Sequence, residues 1–330
     1  MAGTITALDD VIVLDDLDTA SVRLSNEYRH ARLRMSQRGS TGLGDRIAEL
    51  TRNEAAFVSS GAAGGIVLAV ATLMAAPNEP HPMAYPMLKG ITRTEAIVFA
   101  SQRNGYDFAI SQTGATIVEC DNTLESFESA ITERTACLVW FAGALAAKSP
   151  PIEDVIAIAR KHRVPVLVDA AAQIPPVSNL WHYTKDLGCE GVVFSGGKGI
   201  RGPQSAGLVL GSRQLIAGCR RLAPPTQGIG RPLKVGKEEL AGMLAAIQYT
   251  LDQDEAAMLE GYEAIVQNWI KDLAGIGGVT AERGFPSEAG QPHARTIVRL
   301  DADFGKSRDQ VVDELRNGDV WIEVAALEPN

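Results

Sequence analysis

Short apolar runs recur along the chain, separated by stretches with helical spacing. Ala55–Ser59, Ala96–Phe99, Thr116–Glu119, Ala136–Phe141, Val164–Val168, Val192–Phe194 and Ala206–Leu210 are rich in Val, Ile, Leu, Phe and Ala. Most lack the polar alternation of a half-exposed strand, so they predict strands covered on both faces. Between them, an apolar stretch running to about Met74, then Leu124–Ile131, Ile152–His162 and Asn179–Leu187, predict helices. Strands alternating with helices predict an α/β body around a mostly parallel sheet. Pro77, Pro80, Pro82 and Pro86 mark an extended loop, and a Gly- and Pro-rich stretch from Ala223 to Gly236 ends the body. Beyond it, Glu238–Ala274 reads as a long helix or helix pair, Thr296–Leu300 as a strand, Arg308–Asn317 as a helix and Trp321–Val324 as a strand. Ahead of the body, Ser21–Glu49 reads as two helices around a turn at Gly39-Ser40-Thr41-Gly42. The expected organisation is an N-terminal segment (1–50), a large domain (51–235), and a linking helix with a small α+β domain (236–330).

Composition narrows the class. The 330 residues are 45% hydrophobic and 22% charged, which suits a soluble protein with a sizeable core. The most apolar helix candidate, Leu68–Ala76, is too short to span a bilayer. A net charge of −9 argues against a nucleic-acid-binding body. Cys120, Cys137, Cys189 and Cys219 form no CxxC pair, so neither disulfides nor a zinc site is expected, and no metal is assigned. A reducing cytoplasm fits that usage, and the acidic first residues carry no basic-then-apolar leader.

The chemistry concentrates at three strand ends, where open parallel sheets bind ligands. Val192–Gly211 reads VVFSGGKGIRGPQSAGLVLG and places Lys198 in a glycine-rich turn between two strands. It is not a phosphate-binding P-loop, because Val192 stands where that motif needs glycine and Gly199 where it needs Ser or Thr. Lys198 is then a Schiff-base amine, a phosphate-binding charge, or an ordinary hairpin lysine, with Ser195 and Arg201 three residues to either side. Ser60-Gly61-Ala62-Ala63-Gly64-Gly65 joins a strand to a helix, and suits either a bound phosphate or a tight turn. Asp169 ends an apolar strand and precedes Ala170-Ala171-Ala172-Gln173. It reads as a carboxylate awaiting a cation or as a helix N-cap.

A phosphate cradle, a carboxylate for a ring nitrogen and a Schiff-base lysine are what a protein supplies to pyridoxal phosphate. Their order resembles the aspartate-aminotransferase-like fold (fold type I). SGGKGIRGPQSAG and GIGRPLKVGKEELAG (Gly228–Gly242) are similar to the branch containing bacterial selenocysteine synthase and D-glucosaminate-6-phosphate ammonia lyase. The resemblance implies a seven-stranded-type sheet, pyridoxal 5′-phosphate as cofactor, and a homo-oligomer. Lys198 would form the Schiff base and Asp169 would pair with the ring nitrogen. Ala171 would pack on the ring, Gln173 would lie near its oxygen, and Ser60, Gly61, Ala62, Ala63 and Ser195 would surround the phosphate. Gln102 occupies the segment where the family is expected to place a histidine on the second ring face. Arg231 and Arg295 are candidates for an anionic substrate group. The implied activity is a lyase that removes an α-proton and eliminates ammonia or another β-leaving group from a small amino acid or amino-sugar acid. The alternatives are a β-replacement transferase and a weakened homologue with a binding role. No nucleic-acid or membrane partner is expected.

Overall fold

The structure, a computed structural model, describes residues 42–325. Of the two helices expected over Ser21–Glu49, the first lies outside the described residues with the turn up to Thr41, and the second is found.

Residues 42–50 are helical (α1), and strand β1 follows at Ala55–Ser60. Helix α2 is Gly61–Ala75, and β2 and β3 are Glu95–Phe99 and Thr116–Cys120. Then come α3 (Leu124–Ala130), β4 (Thr135–Phe141), α4 (Ile152–Lys161), β5 (Val166–Asp169), β6 (Gly191–Ser195), β7 (Ala206–Gly211) and α5 (Arg213–Leu222). Seven strands form one sheet in the order β1-β7-β6-β5-β4-β2-β3. All run parallel except β7, which is antiparallel to both β1 and β6. Six strands therefore end at one edge of the sheet, where β7 begins.

The uninterrupted apolar runs are explained by cover on both faces. Val192, Phe194, Leu208 and Leu210 join a core with α3, α4 and helix α6 (Lys237–Asp252). Val193 and Val209, which point the other way, join a core with α2 and α5. Side chains alternate across a strand, so both sets must be apolar. Helix α2 is buried along eleven of its fifteen residues, which accounts for its lack of a polar face. Its close approach to the sheet requires Gly65, where a Cβ would stand 2.9 Å from Val209 Cγ2.

Helix α6 packs on this body through the fully buried Met243 and Ile247. The chain divides into two compact units between Gln253 and Asp254, whereas the sequence reading drew its boundary at 235/236. The second unit holds α7 (Glu255–Leu273), β8 (Val279–Gly284), β9 (Arg295–Leu300) and α8 (Arg308–Arg316), with β8 and β9 antiparallel. Strand β8 escaped the sequence reading because its pattern, Val-Thr-Ala-Glu-Arg-Gly, is mostly polar and exposed. The strand expected at Trp321–Val324 is not formed. That stretch is irregular and exposed, and Ile322 N donates back to Leu315 O at the end of α8. The helix expected over Asn179–Leu187 is a short α turn at Asn179–Trp181 followed by a wider π turn at His182–Asp186. Among the described residues no helix is long and apolar enough to cross a membrane.

Candidate active site at the carboxyl edge of the sheet

The sheet register brings the predicted groups together. Ser60 pairs with Ala206, Ser195 with Gly207, and Asp169 with Val193 and Phe141. Neighbouring strands lie about 4.8 Å apart, so Ser60, Ser195 and Asp169 occupy a stretch of edge roughly 15 Å long.

At one end is the start of α2. Ser60 is its N-cap residue but makes no side-chain cap, and the first turn holds no acidic residue. The Gly61 N–H is used, donating to the Ser205 carbonyl at 2.7 Å, and Gly61 takes φ +64° to make the turn. Next in line are the N–H groups of Ala62 and Ala63, which have no intrahelical acceptor because they belong to the first turn. Free donors, a positive dipole end and no competing carboxylate suit a phosphate. The loop containing Arg231 approaches the same turn, since Leu233 lies 3.6 Å from the position of a Cβ on Gly64.

The lysine loop connects β6 to β7 as an antiparallel hairpin. Gly196 N donates to Ala206 O at 2.8 Å, Gly202 N to Gly196 O at 2.7 Å, and Arg201 N to Lys198 O at 2.8 Å. Its underside is clamped. Ile200 is buried and its carbonyl accepts from Thr250 Oγ1, while a Cβ on Gly199 would fall 1.8 Å from the Ile174 carbonyl oxygen. Arg201 is held at φ +57°, an uncommon conformation for a residue other than glycine. The loop thus buries its backbone and leaves Lys198 exposed.

Asp169 lies between these groups. No helix starts after it, so the N-cap reading is excluded. Its Oδ1 accepts from Ala171 N at 2.9 Å, the one side-chain hydrogen bond it makes among the described residues. Burial pushes its carboxyl above the usual carboxylate range. The Ala171 N–H and the Lys198 charge pull the other way without cancelling that effect. A buried carboxyl so poorly matched by its own protein fits a protonated ring nitrogen. Ala171 is partly exposed beside it, and Gln173 is buried, its carbonyl accepting from Asn179 Nδ2 at 2.7 Å.

Gln102 follows β2 at the same edge, but it is fully buried and its amide is used. Oε1 accepts from Phe141 N at 2.8 Å, and Nε2 donates to Ser149 Oγ at 2.9 Å. It ties the end of β4 to the loop after β2 and offers no exposed face to a ring. The aromatic that does reach the lysine is Tyr106, whose ring centroid lies 5.6 Å from Lys198 Nζ. The sequence analysis singles out Gln102 in this segment, not Tyr106. A tyrosine beside Asn-Gly in a loop carries no pattern that gives its distance from a lysine far along the chain. Arg295 is in the second unit, at the start of β9, with a buried Nε that lacks a hydrogen-bond partner among the described residues. Among the described residues no cluster of His, Cys, Asp and Glu is arranged to hold a metal ion.

The model of the aminotransferase class-V family matches residues 52–236, which span β1 to the loop before α6. The chain belongs to this family. It is 31% identical to the 5′-C-glycyluridine monooxygenase-decarboxylase of a Streptomyces species, over 83% of this chain and 69% of the relative. It is 27% identical to the D-glucosaminate-6-phosphate ammonia lyase of Salmonella typhimurium, over 84% of this chain and 74% of the relative. A solved structure of D-glucosaminate-6-phosphate ammonia-lyase superposes with a TM-score of 0.71 at 26% identity, covering 92% of this chain and 83% of the other. The family member is thus a pyridoxal-phosphate-dependent enzyme of the lyase type with the fold type I architecture.

Proposed function

We propose that this chain removes the α-proton of a small anionic amino acid or amino-sugar acid and eliminates ammonia or another group from its β-carbon. The observation that carries this reading is the buried Asp169 carboxyl beside Lys198, on the edge shared with the uncapped start of α2. Pyridoxal 5′-phosphate, when bound, supplies an electron sink for the substrate's α-carbon. The chain's own residues set the conditions for it. The Ala62 and Ala63 N–H groups, with the Ser60 and Ser195 hydroxyls, bind the phosphate. Asp169 holds a proton at the ring nitrogen through a charge-assisted hydrogen bond. Ala171 gives a flat contact free of bulk, and the Gln173 amide lies toward the ring oxygen. Lys198 Nζ takes the α-proton as general base and returns a proton to the leaving group. Gln102, spent on Phe141 and Ser149, acts as a tie between strand ends.

The amino-sugar acid is suggested by the lyase relative, and an anionic group on it suits Arg231, whose loop reaches the start of α2. Elimination and β-replacement would use the same residues, and the released products distinguish them. The protein acts as a homo-oligomer, a reading supported by Met83 and Met87, which are 65% and 86% exposed on the proline-marked loop. Its four cysteines are free, with burial pushing each thiol up to about 12, which suits a reducing cytoplasm.

The test begins with purified protein and pyridoxal phosphate. Borohydride is expected to fix the cofactor on Lys198, and a screen of amino acids and amino-sugar acids to release a keto acid and ammonia. Lys198→Ala is expected to abolish both results. An adduct mapped to another lysine, or full turnover in Lys198→Ala, would overturn the assignment.

A further inference from the structure

Tyr106 and Lys198 come from opposite sides of the site. Lys198 belongs to the β6–β7 connection and Tyr106 to the loop after β2. In the sheet these strands are separated by β5 and β4, three strand intervals or about 14 Å. Their side chains nonetheless meet, the ring centroid 5.6 Å from Nζ, within the range over which a cation is drawn to an aromatic face. The contact therefore spans the ends of β5 and β4, and β5 ends in Asp169.

The loop that presents Tyr106 is built to hold it still. Asn104 Oδ1 accepts from Tyr106 N at 2.7 Å, and Asn104 Nδ2 donates to Gln102 O at 2.6 Å. Asp107, itself buried, accepts from Arg103 Nε at 2.5 Å and from Asn104 N at 3.4 Å, and Arg103 Nη1 reaches Glu119 Oε2 at 2.7 Å. All of these bonds fix the backbone and the neighbours, while the ring they carry stays 68% exposed. A lone exposed aromatic is ordinary on a protein surface. One locked in place with its face on the amine of the candidate site is not explained by packing.

We propose that Tyr106 is a positioning residue whose ring face steers the Lys198 amine over Asp169. This rests on the assignment of Lys198 above. Lysine has a long, flexible stem, and an exposed Nζ samples many rotamers. A fixed ring on the far side of the mouth narrows that range to the space between β6 and β2. The face of the ring, rather than its hydroxyl, makes the contact, so phenylalanine should serve and alanine should not.

The experiment measures covalent capture of pyridoxal phosphate, not turnover. Cofactor-free wild type, Tyr106→Phe and Tyr106→Ala are mixed with pyridoxal phosphate and quenched with borohydride at intervals. The rate of adduct formation on Lys198 is then read by mass spectrometry. Tyr106→Ala is expected to capture at least fivefold more slowly, with Tyr106→Phe within twofold of wild type and all three showing equal thermal midpoints. Equal rates in wild type and Tyr106→Ala would overturn the inference and leave the Lys198 assignment standing. An equal loss in the Phe and Ala variants would also overturn it, by showing that the hydroxyl acts. If wild type itself forms no adduct on Lys198, the functional reading fails instead.

Discussion

Asp169 carries a cost that the protein without cofactor cannot avoid. Burial raises its carboxyl above the ordinary value of 3.8, so the folded protein keeps the proton longer than the unfolded chain does. As pH rises through the window from 3.8 to that raised value, the unfolded chain ionises first and the folded state loses stability. Below the window both states are protonated and the penalty disappears. Asp169→Asn preserves the shape and can still accept from Ala171 N, without a charge to desolvate. Cofactor-free Asp169→Asn is therefore expected to be more stable than cofactor-free wild type at neutral pH by roughly 1–3 kcal/mol, the cost of leaving a buried polar group poorly matched. Urea midpoints should converge as pH falls toward 3.8, and saturating cofactor should reverse the order. A variant no more stable at neutral pH would show that burial does not penalise the carboxyl. At this scale the sequence was partly legible. Asp169 and Lys198 were marked by residue type at a strand end and in a glycine turn. The distance from Lys198 to Tyr106 was not, because residue types do not encode separations across a sheet.

At the scale of elements, α2 makes two opposed demands on one position. A carboxylate in the first turn of a helix is favourable to the helix by about 0.3–1 kcal/mol. The same carboxylate is unfavourable to a phosphate bound there. Ala63 is exposed in that turn, which lacks any acidic residue. Ala63→Glu is expected to leave the thermal midpoint unchanged or slightly raised and to weaken pyridoxal phosphate binding at least tenfold, about 1.4 kcal/mol. Pyridoxal, which lacks the phosphate, should lose little affinity, and calorimetry on both ligands makes the comparison. An equal loss for both would place the phosphate elsewhere. The buried strands and helices of the sheet were readable because two covered faces leave a continuous apolar run. Strand β8 was not, since an exposed hairpin strand needs no such run, and Trp321–Val324 shows the converse, an apolar stretch that pairs with no strand among the described residues.

At the scale of the whole molecule, the exposed Met83 and Met87 bear on assembly. Light scattering of the cofactor-bound protein is expected to give an even multiple of the 35.1 kDa chain, and a strictly monomeric mass would remove that part of the proposal. The placement of β7 has a separate consequence. It is the one reversed strand, lying between β1 and β6, and the Ser205 carbonyl just ahead of it holds Gly61 at the start of α2. β1 and α2 leave the ribosome early, but the partners that complete their edge are made more than a hundred residues later. Until Gly211 has emerged from the tunnel, β1 has no neighbour in the sheet and the cradle has no second wall. Cofactor present during translation therefore meets no assembled site on a shorter nascent chain, and its capture belongs to the end of synthesis of this unit.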